Sequence, residues 1–285
     1  MKEKVSVFLD ESGKDKNQIS LIGSLLIPNN IYFSEEINQL DRRLKENKVK
    51  FHLADYRKHH YNAYVQLFDS MLSKTEYIRL NIVSFKRSRF SNHALSGKIN
   101  DMVYAKIPER TIYGSLRGYS SFTEVEADIY IEYSKEYEQR ALDKLIKNQL
   151  NTHSLYRYDK FKVNKANLYM KNTHIGIEFT DVSLGVVRHI LENTDCYNRD
   201  TKQIRKSLAY KKRLVYTLIK KHDSFFSSLK LFELDDKGKL DAIDMRKYLD
   251  LFIAKYHREL ECYPELQNIM GIKQKKQARK KAYRY

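Results

Sequence analysis

The chain has 285 residues, of which 42% are hydrophobic, so it is long enough to bury a core and its composition excludes wholesale disorder. Lys and Arg number 53 against 36 Asp and Glu, which gives a formal net charge of +17. No apolar run approaches the ~20 residues of a membrane span, and the opening "MKEKVSVFLD" lacks the pattern of a signal peptide. Cys196 and Cys262 lie far apart, which disfavours a disulfide scaffold or a zinc site and predicts a cytoplasmic protein.

The first half of the chain alternates between strand and helix patterns. "KVSVFLD" is too short an apolar run for a helix and predicts a central strand, beside which "NQISLIGSLLIP" returns as the second strand of a hairpin. "IYFSEEINQLDRRLKENK" and "YNAYVQLFDSMLSK" predict helices on either side of a short extended piece, "KVKFHLADYR". "EYIRLNIVSF" predicts a strand, and "SGKINDMVYAKIPERTIYGSLRGY" predicts a helix that Pro108 kinks or splits.

The second half begins with the alternating strand "TEVEADIYIEYS". Its period of two places four polar or aromatic side chains on one face: Glu126, Asp128, Tyr130 and Glu132. "KEYEQRALDKLIKNQL" predicts one amphipathic helix, "DKFKVNKANLYM" a strand, and "HIGIEFTDVSLGVVRHILEN" a further helix. After about residue 195 the pattern predicts only helices, followed by a basic tail.

This order of elements predicts an α/β fold with a mixed sheet flanked by helices. The hairpin at the start fits neither a Rossmann unit nor a P-loop domain, because both begin with strand, loop and helix. We predict two parts, an α/β domain over residues 1–195 and a helical, basic C-terminal extension with its tail over residues 196–285.

The excess of positive charge predicts a polyanionic partner, of which nucleic acid is the commonest. Basic residues alternate with tyrosines in "DYRKHHYNAY", "SLYRYDKFK" and "SLAYKKRLVY", and again in the tail "KQKKQARKKAYRY". Tyrosines can stack on bases while neighbouring cations hold phosphates, and a dense basic tail attracts a polyphosphate whatever its sequence. The alternative is a solubilising surface and a solvated tail.

Acidic residues stand at three places where predicted elements end or turn toward each other. Asp10 and Glu11 close the first strand, Glu132 or Asp128 lies toward the end of "ADIYIEY", and Glu178 and Asp181 share a helical face. Gly185, one turn after Asp181, would let a backbone or a substrate approach closely. Carboxylates from two strands and a helix suit a pair of hard divalent cations, such as those of two-metal phosphodiester hydrolysis. The alternative is that these acids are surface residues that solvate strand ends and a helix.

Four stretches together resemble the domain-of-unknown-function 3800 family, which is regarded as having a ribonuclease H-like fold. They are, in chain order, "FLDESG", "KFHLADYR", "IYIEYSKEYE" and "NTHIGIEFTDVSLGVVRH", and the resemblance spans roughly residues 3 to 195. It implies a ribonuclease H-like mixed sheet with a catalytic domain over residues 1–195, and a bacterial or mobile-element protein with a role in defence against phage.

The resemblance also implies a metal site. Asp10 and Asp181 match the family's first and last acid motifs and would be the leading ligands of Mg²⁺ or Mn²⁺, with Glu132 at the strand acid. Two positions depart from the family pattern, because the strand acid is usually Asp and the residue at Glu178 is usually Gln. Both departures keep oxygen donors. Glu178 and Glu11 would support the ligands.

Histidine and basic residues complete the predicted site. His52, in the family-like stretch "FHLAD", could orient water or carry a proton, although a loop histidine is more often simply solvated. Lys106 and Arg110 lie one turn apart and could grip a phosphate, unless Glu109 holds them in an ordinary surface ion pair. Substrate contacts are predicted for eight cations: Lys14, Lys106, Arg110, Arg188, Lys275, Lys276, Arg279 and Lys280.

The sequence thus predicts a Mg²⁺- or Mn²⁺-dependent nuclease that hydrolyses RNA or DNA. The first alternative is a nucleic-acid-binding module of the same fold without chemistry, and the second is an adaptor for an acidic protein. A nuclease loses activity and keeps its fold without Asp10 or Asp181, whereas a binding module keeps salt-sensitive binding and needs no metal. The sequence leaves open whether a protein partner activates or inhibits the chain and whether it forms a homo-oligomer.

Overall fold

The computed structural model describes residues 2–13, 19–46, 49–90, 98–198, 200–235 and 237–272. The strands are β1 (Lys2–Ser12), β2 (Ser20–Pro28), β3 (Arg79–Phe85), β4 (Glu124–Glu132), β5 (Phe161–Tyr169), β6 (Tyr197–Asn198), β7 (Gln203–Ile204), β8 (Lys230–Leu234) and β9 (Leu240–Ile243). The helices are α1 (Asn29–Tyr32), α2 (Glu35–Lys45), α3 (Tyr61–Met71), α4 (Ile99–Asp101), α5 (Ile107–Ser120), α6 (Lys135–Gln139), α7 (Leu142–Arg157), α8 (Ile175–Glu192), α9 (Lys206–Lys221), α10 (Asp223–Ser228), α11 (Met245–Cys262) and α12 (Pro264–Met270).

A mixed sheet of seven strands forms the centre of the fold, in the order β5-β4-β1-β2-β3-β8-β9. β1, β2 and β3 pair in antiparallel succession, whereas β4 is parallel to β1 and β5 is parallel to β4. The prediction of an α/β fold with a mixed sheet flanked by helices is confirmed, and β1 is a central strand as its apolar run indicates. Within the described residues, no helix combines the length and the apolar character that crossing a membrane requires.

Side chains of alternate strand residues enter two separate apolar cores, one on each face of the sheet. Phe8 of β1 belongs to the first core, which α2, α3, α8, α9 and α11 cover. Val7 and Leu9 belong to the second core, which α5 and α7 cover. Whether a residue of β1 has an even or an odd number therefore decides which of the two layers of helices its side chain faces.

The prediction that only helices follow residue 195 is wrong. β8 pairs with β3 in parallel and β9 returns antiparallel to β8, so this region adds two strands to the central sheet. β6 and β7 form a separate small hairpin. β8 and β9 were missed because they are short. In five residues or fewer, the alternation of apolar and polar side chains is too brief to distinguish a strand from part of a helix. Residues on both sides of the boundary predicted at 195 share one sheet and one core.

Two predicted helices depart from a regular α-helix. The segment before Pro108 forms a π-helix at Met102–Lys106 that continues directly into α5, with helical backbone angles at Asp101, Lys106 and Ile107, so Pro108 does not split the helix. The predicted single helix from residue 135 breaks at Ala141, which has a φ of 46° and separates α6 from α7. This break was not predicted because the sequence around Ala141 contains neither glycine nor proline.

α8 packs directly on the sheet because Gly176 has no side chain. A Cβ atom at this position would lie 2.4 to 2.6 Å from three atoms of the Phe8 ring. The Phe8 ring has little freedom to move, since its centroid lies 4.7 Å from that of Tyr32 and 4.9 Å from that of Tyr130. At the same end of the helix, Asp41 of α2 accepts a hydrogen bond from the backbone N–H of Ile175 at 2.8 Å.

Replacing Gly176 by alanine is therefore expected to lower the free energy of unfolding by about 2 to 3 kcal/mol, as overpacking of a core does. The matched control is Gly118→Ala on α5, where the nearest atom to an added Cβ is the flexible tip of Lys230 at 3.4 Å. That variant gains helix propensity and should be neutral or up to about 1 kcal/mol more stable. Urea unfolding measures both, and equal effects of the two substitutions would contradict the packing argument.

Candidate active site

The first two predicted carboxylates meet where β1 and β4 end. The parallel pairing of these strands runs as far as Leu9 and Ile131, so Asp10 and Glu132 are the next residue of each strand. Glu132 lies within hydrogen-bonding reach of Asp10, and Asp181 of α8 is close enough for its charge to act on Asp10. Asp128 lies four residues earlier, about 13 Å along the strand. Glu132 is therefore the strand acid that joins Asp10 and Asp181.

Asp10 is the most constrained member of this carboxylate cluster, which we define as Asp10, Glu132 and Asp181. Its side chain is 1% exposed, and its Oδ1 accepts a hydrogen bond from the backbone N–H of Glu11 at 2.7 Å. Its Oδ2 is buried without a hydrogen-bond partner among the described residues. Burial raises the pKa of Asp10 well above its usual range, and the neighbouring Glu132 and Asp181 raise it further. The Asp10 carboxyl therefore carries a negative charge only at a cost in free energy.

Among the described residues, Lys171 is the lysine that forms an ion pair with this cluster, and the sequence analysis missed it. Its Nζ lies 3.3 Å from Oε1 of Glu132. Burial lowers the pKa of Lys171, but the charges of Glu132, Asp181 and Asp10 outweigh that effect and raise it overall. A signal was present, because β5 pairs with β4 up to Glu132 and Tyr169, and Lys171 follows two residues later.

His52 contacts the cluster from the other side, as its family-like stretch suggests. Its Nδ1 lies 2.7 Å from Oδ2 of Asp181, and a carboxylate that accepts this bond makes Nδ1 the donor. The hydrogen bond to Asp181 raises the pKa of His52 despite partial burial. Gly185 makes this contact feasible, since Leu53 packs where a side chain would lie, 3.0 Å from the position of a Cβ atom. The close approach predicted at Gly185 is thus made by the turn that carries His52.

Glu178 is buried and holds the loop that carries Lys171. Its Oε1 accepts a hydrogen bond from the backbone N–H of Asn172 at 2.7 Å. Burial raises the pKa of Glu178 to about 7, although that hydrogen bond opposes the shift. Glu178 and Asp181 do not solvate a helix face, because α8 is covered on nearly all sides and both residues are buried. Glu178 is therefore a positioning residue for the loop after β5.

The pKa of Glu178 predicts a pH-dependent effect of Glu178→Gln in EDTA. A carboxyl whose folded-state pKa of about 7 exceeds its ordinary value of 4.5 stabilises the fold fully below pH 4.5 and loses this contribution as pH rises through 7. Glutamine never ionises and can still accept from Asn172. The variant should match the wild type near pH 4.5 and be about 2 to 3 kcal/mol more stable at pH 8.

Urea unfolding at half-unit steps from pH 4.5 to 8 measures this difference. The exposed Glu261→Gln on α11 is the control, and its stability difference from the wild type should stay flat with pH. A flat difference for Glu178→Gln as well would contradict the burial argument.

The donor chemistry of the cluster fits a hard divalent cation, because carboxylate oxygens are the ligands that Mg²⁺ and Mn²⁺ prefer. The unpartnered Oδ2 of Asp10 is a free oxygen donor of this kind. Among the residues that the structure describes, however, no three histidine, cysteine or carboxylate side chains form a group that could hold a metal ion. The carboxylate of Glu132 instead forms an ion pair with Lys171, and that of Asp181 contacts the ring of His52.

Glu11 lies on the other face of the sheet from Asp10. The alternation of β1 directs the Glu11 side chain toward the second core. Burial raises the pKa of Tyr137 there, and the charge of Glu11 raises it further. The charges of Asp10 and Glu132 also act on Tyr137, and the supporting role predicted for Glu11 stays a prediction.

The predicted substrate cations are dispersed. Lys106 and Arg110 belong to the segment that packs on the second core, on the face of the sheet away from α8, and Lys106 contacts Gln149 at 3.5 Å. Glu109 forms no surface ion pair with them, since it is buried and lies 3.1 Å from Nδ1 of His153. Arg188 lies on α8, about two turns beyond Asp181. The other predicted cations lie outside the described residues: Lys14, Lys275, Lys276, Arg279 and Lys280.

Two basic and aromatic segments, which are distant in sequence, come together next to His52. Nζ of Lys211 in α9 donates to the carbonyl of Ala54 at 2.9 Å, and Lys58 lies 5.8 Å from the ring centroid of Tyr210. Tyr61 of α3 also donates to the hydroxyl of Thr217 at 2.9 Å. "DYRKHHYNAY" and "SLAYKKRLVY" thus form one surface beside the carboxylate cluster.

Comparison with known proteins adds no further identification of this site. No protein-family model matches the chain, and no curated protein sequence matches it at a significant level.

Proposed function

We propose that the chain is a divalent-metal-dependent nuclease of ribonuclease H-like architecture that hydrolyses phosphodiester bonds of RNA or DNA. The observation that carries the proposal is the convergence of Asp10, Glu132 and Asp181 at the ends of β1 and β4, with Asp10 buried and one of its oxygens unpartnered. Buried carboxylates repel each other and cost desolvation free energy unless a cation compensates them. The mixed sheet agrees with the architecture that the sequence resemblance implies.

Asp10, Glu132 and Asp181 would hold Mg²⁺ or Mn²⁺. Such ions, when bound, supply Lewis-acid stabilisation of the negative charge that develops on a phosphodiester during hydrolysis. Glu178 keeps the loop after β5 in place through Asn172 and thereby positions Lys171 beside Glu132. The side chain of Lys171 is half exposed, so its ammonium can neutralise Glu132 and also reach a phosphate oxygen of a substrate.

His52 is the residue suited to moving a proton. Asp181 orients its ring through Nδ1, which leaves Nε2 as the second titrating position. The His52 side chain is 45% exposed, so water and substrate can reach it. Because Asp181 raises the pKa of His52, the ring carries its proton up to a higher pH than a free histidine does. A histidine of this kind can protonate a leaving oxygen near neutral pH.

Cleavage assays with purified full-length chain test the proposal. Labelled single-stranded and duplex RNA, DNA and hybrid are incubated with Mg²⁺, Mn²⁺ or EDTA, using the wild type, Asp181→Asn, and the exposed Glu261→Gln as the matched control. We expect metal-dependent cleavage by the wild type and the control and none by Asp181→Asn. Cleavage that persists in EDTA, or in Asp181→Asn at the wild-type rate, would overturn it.

A second candidate, a nucleic-acid-binding module without chemistry, is favoured by one observation. Lys171 supplies a positive charge among the acids, where a metal ion would supply it in an enzyme. This candidate predicts tight binding of nucleic acid in EDTA that weakens steeply with salt, and no cleavage under any metal condition. Tight binding that requires a divalent metal would exclude it.

A further inference from the structure

A cavity of about 460 Å³ opens beside His52 and is not part of the carboxylate cluster. It is built by the chain between residues 49 and 64, which includes the short turns Leu53–Asp55 and Lys58–His60. His52 lines this cavity and also contacts Asp181, so the cavity adjoins the carboxylate cluster directly. A ligand bound in it would place its nearest polar group next to the reacting centre.

The walls of this cavity combine cations with ring faces. Lys50, Arg57 and His59 are exposed on its rim, against one acid, Asp55. Among the described residues, neither Lys50 nor Arg57 has an ion-pair partner. The rim is therefore free to bind an anion.

The floor of the cavity is rigid and aromatic. The rings of Phe51 and Tyr64 are buried and meet edge to face with centroids 5.4 Å apart, and His60 lies nearly parallel to Tyr64 at 6.4 Å. The hydroxyl of Tyr64 accepts from the backbone N–H of His52 at 2.9 Å, which fixes the floor relative to the carboxylate cluster. These buried rings give the cavity a fixed apolar floor below a cationic rim, which suits a nucleoside with an attached phosphate.

The surface that continues from the cavity is also basic and aromatic. Lys211 of α9 donates to the carbonyl of Ala54, and Lys58 lies 5.8 Å from the ring centroid of Tyr210 in α9. Arg213 covers the ring of Tyr61, 4.9 Å from its centroid. A strand of nucleic acid that leaves the cavity would thus remain on a cationic surface.

We infer that this cavity binds one unpaired nucleotide of a single-stranded nucleic acid and so gives the proposed nuclease a single-stranded substrate; this inference rests on the proposed function. The volume lies in the range of about 300 to 1,000 Å³ typical of small-ligand sites, which admits one nucleotide and no base pair in a stack. A base inside a duplex cannot enter, because its faces are covered by its neighbours. His59 is exposed and lines the cavity, so its ring is the one on which the base would stack.

Binding in EDTA tests the inference without any need for catalysis. Fluorescence anisotropy is measured with labelled single strands of RNA and DNA of about ten nucleotides and with the matching duplexes. The variants are Lys50→Ala with Arg57→Ala, and the control is Lys144→Ala with Lys147→Ala, which removes the same charge from the exposed face of α7. We expect the cavity variant to weaken single-strand binding at least tenfold, and the control about twofold. Duplex binding should change equally in both variants. Equal losses of single-strand binding in the two would overturn the inference.

A stacking test separates the nucleotide from a bare phosphate. His59→Ala should weaken single-strand binding about fivefold or more, whereas His59→Phe keeps a ring face and should stay within about twofold of the wild type. Equal losses in both variants would show that charge alone acts. If the wild type cuts but cuts duplexes as well as single strands, the inference fails and the nuclease stands. If it never cuts while the cavity variants lose single-strand binding, the proposed nuclease fails and the nucleotide site stands.

Discussion

Replacing Asp10 by asparagine is expected to abolish metal-dependent cleavage and, at the same time, to make the protein more stable in EDTA at pH 7.5. Asparagine fills the same volume, and its Oδ1 can still accept from the backbone N–H of Glu11. Its amide can donate to Glu132, where the wild type places two carboxyl groups within hydrogen-bonding reach. A buried carboxyl whose negative charge is costly is thus replaced by a neutral amide that donates a hydrogen bond.

The sizes of the two effects follow from burial and chemistry. Loss of a carboxylate that holds a catalytic metal should reduce the cleavage rate at least about 10³-fold, as removal of a main electrostatic stabiliser does. Replacing the buried, unpartnered oxygen by an amide that donates a hydrogen bond should raise the free energy of unfolding by about 1 to 3 kcal/mol. Single-turnover cleavage in Mn²⁺ and urea unfolding in EDTA measure the two effects, with the exposed Glu261→Gln as control. A variant that is both inactive and less stable would indicate a merely structural Asp10.

We interpret the carboxylate cluster as an arrangement that lowers the stability of the fold and serves activity. The described ionic contacts of the cluster offset its charge only in part. The Lys171 side chain is half exposed to water, and the ion pair that His52 forms with the cluster involves Asp181. An arrangement that costs folding free energy is retained where function needs it. The same reasoning applies to Glu178, whose burial raises its pKa to about 7.

Much of this site could be predicted from the sequence because it depends on strand ends. Asp10 and Glu132 end strands that pair in parallel, and such ends meet at one edge of a sheet. Alternation alone could also have placed the Glu11 side chain on the face of β1 opposite to Asp10, since adjacent strand residues point to opposite faces. Lys171 could have been found by the same register argument, as it follows the end of β5.

The rest depended on packing that no local pattern contains. The face of the sheet on which α5 lies is set by its connections, so the sequence could not place Lys106 and Arg110 away from Asp181. The nearly complete burial of α8 arises because the sheet and several helices surround it, whereas periodicity predicts a helix with one polar side. The cavity beside His52 forms from a segment that has no regular element longer than one turn before α3.

The second large effect is expected at Lys212, which joins α9 to α11 inside the protein. Its side chain is 0% exposed, and its Nζ lies 2.8 Å from Oε2 of Glu259. The other oxygen of Glu259 accepts from the backbone N–H of Cys196 at 3.0 Å. Lys212→Met keeps the volume and removes the charge, so it leaves a buried carboxylate without its cation. The free energy of unfolding should fall by about 3 to 5 kcal/mol, as it does when one partner of a buried pair is removed.

Two further variants make this expectation specific to burial. Lys221→Met on the same helix breaks a pair of similar length, 2.7 Å to Asp69, in which both side chains are more than 40% exposed, and it should cost at most about 1 kcal/mol. Lys212→Met with Glu259→Gln removes both charges and keeps an acceptor for Cys196, so it should recover at least about half of the loss. Urea unfolding at pH 7 measures all three. If the double variant is no more stable than Lys212→Met, the loss comes from packing around the methionine, and the stranded charge of Glu259 is not its cause.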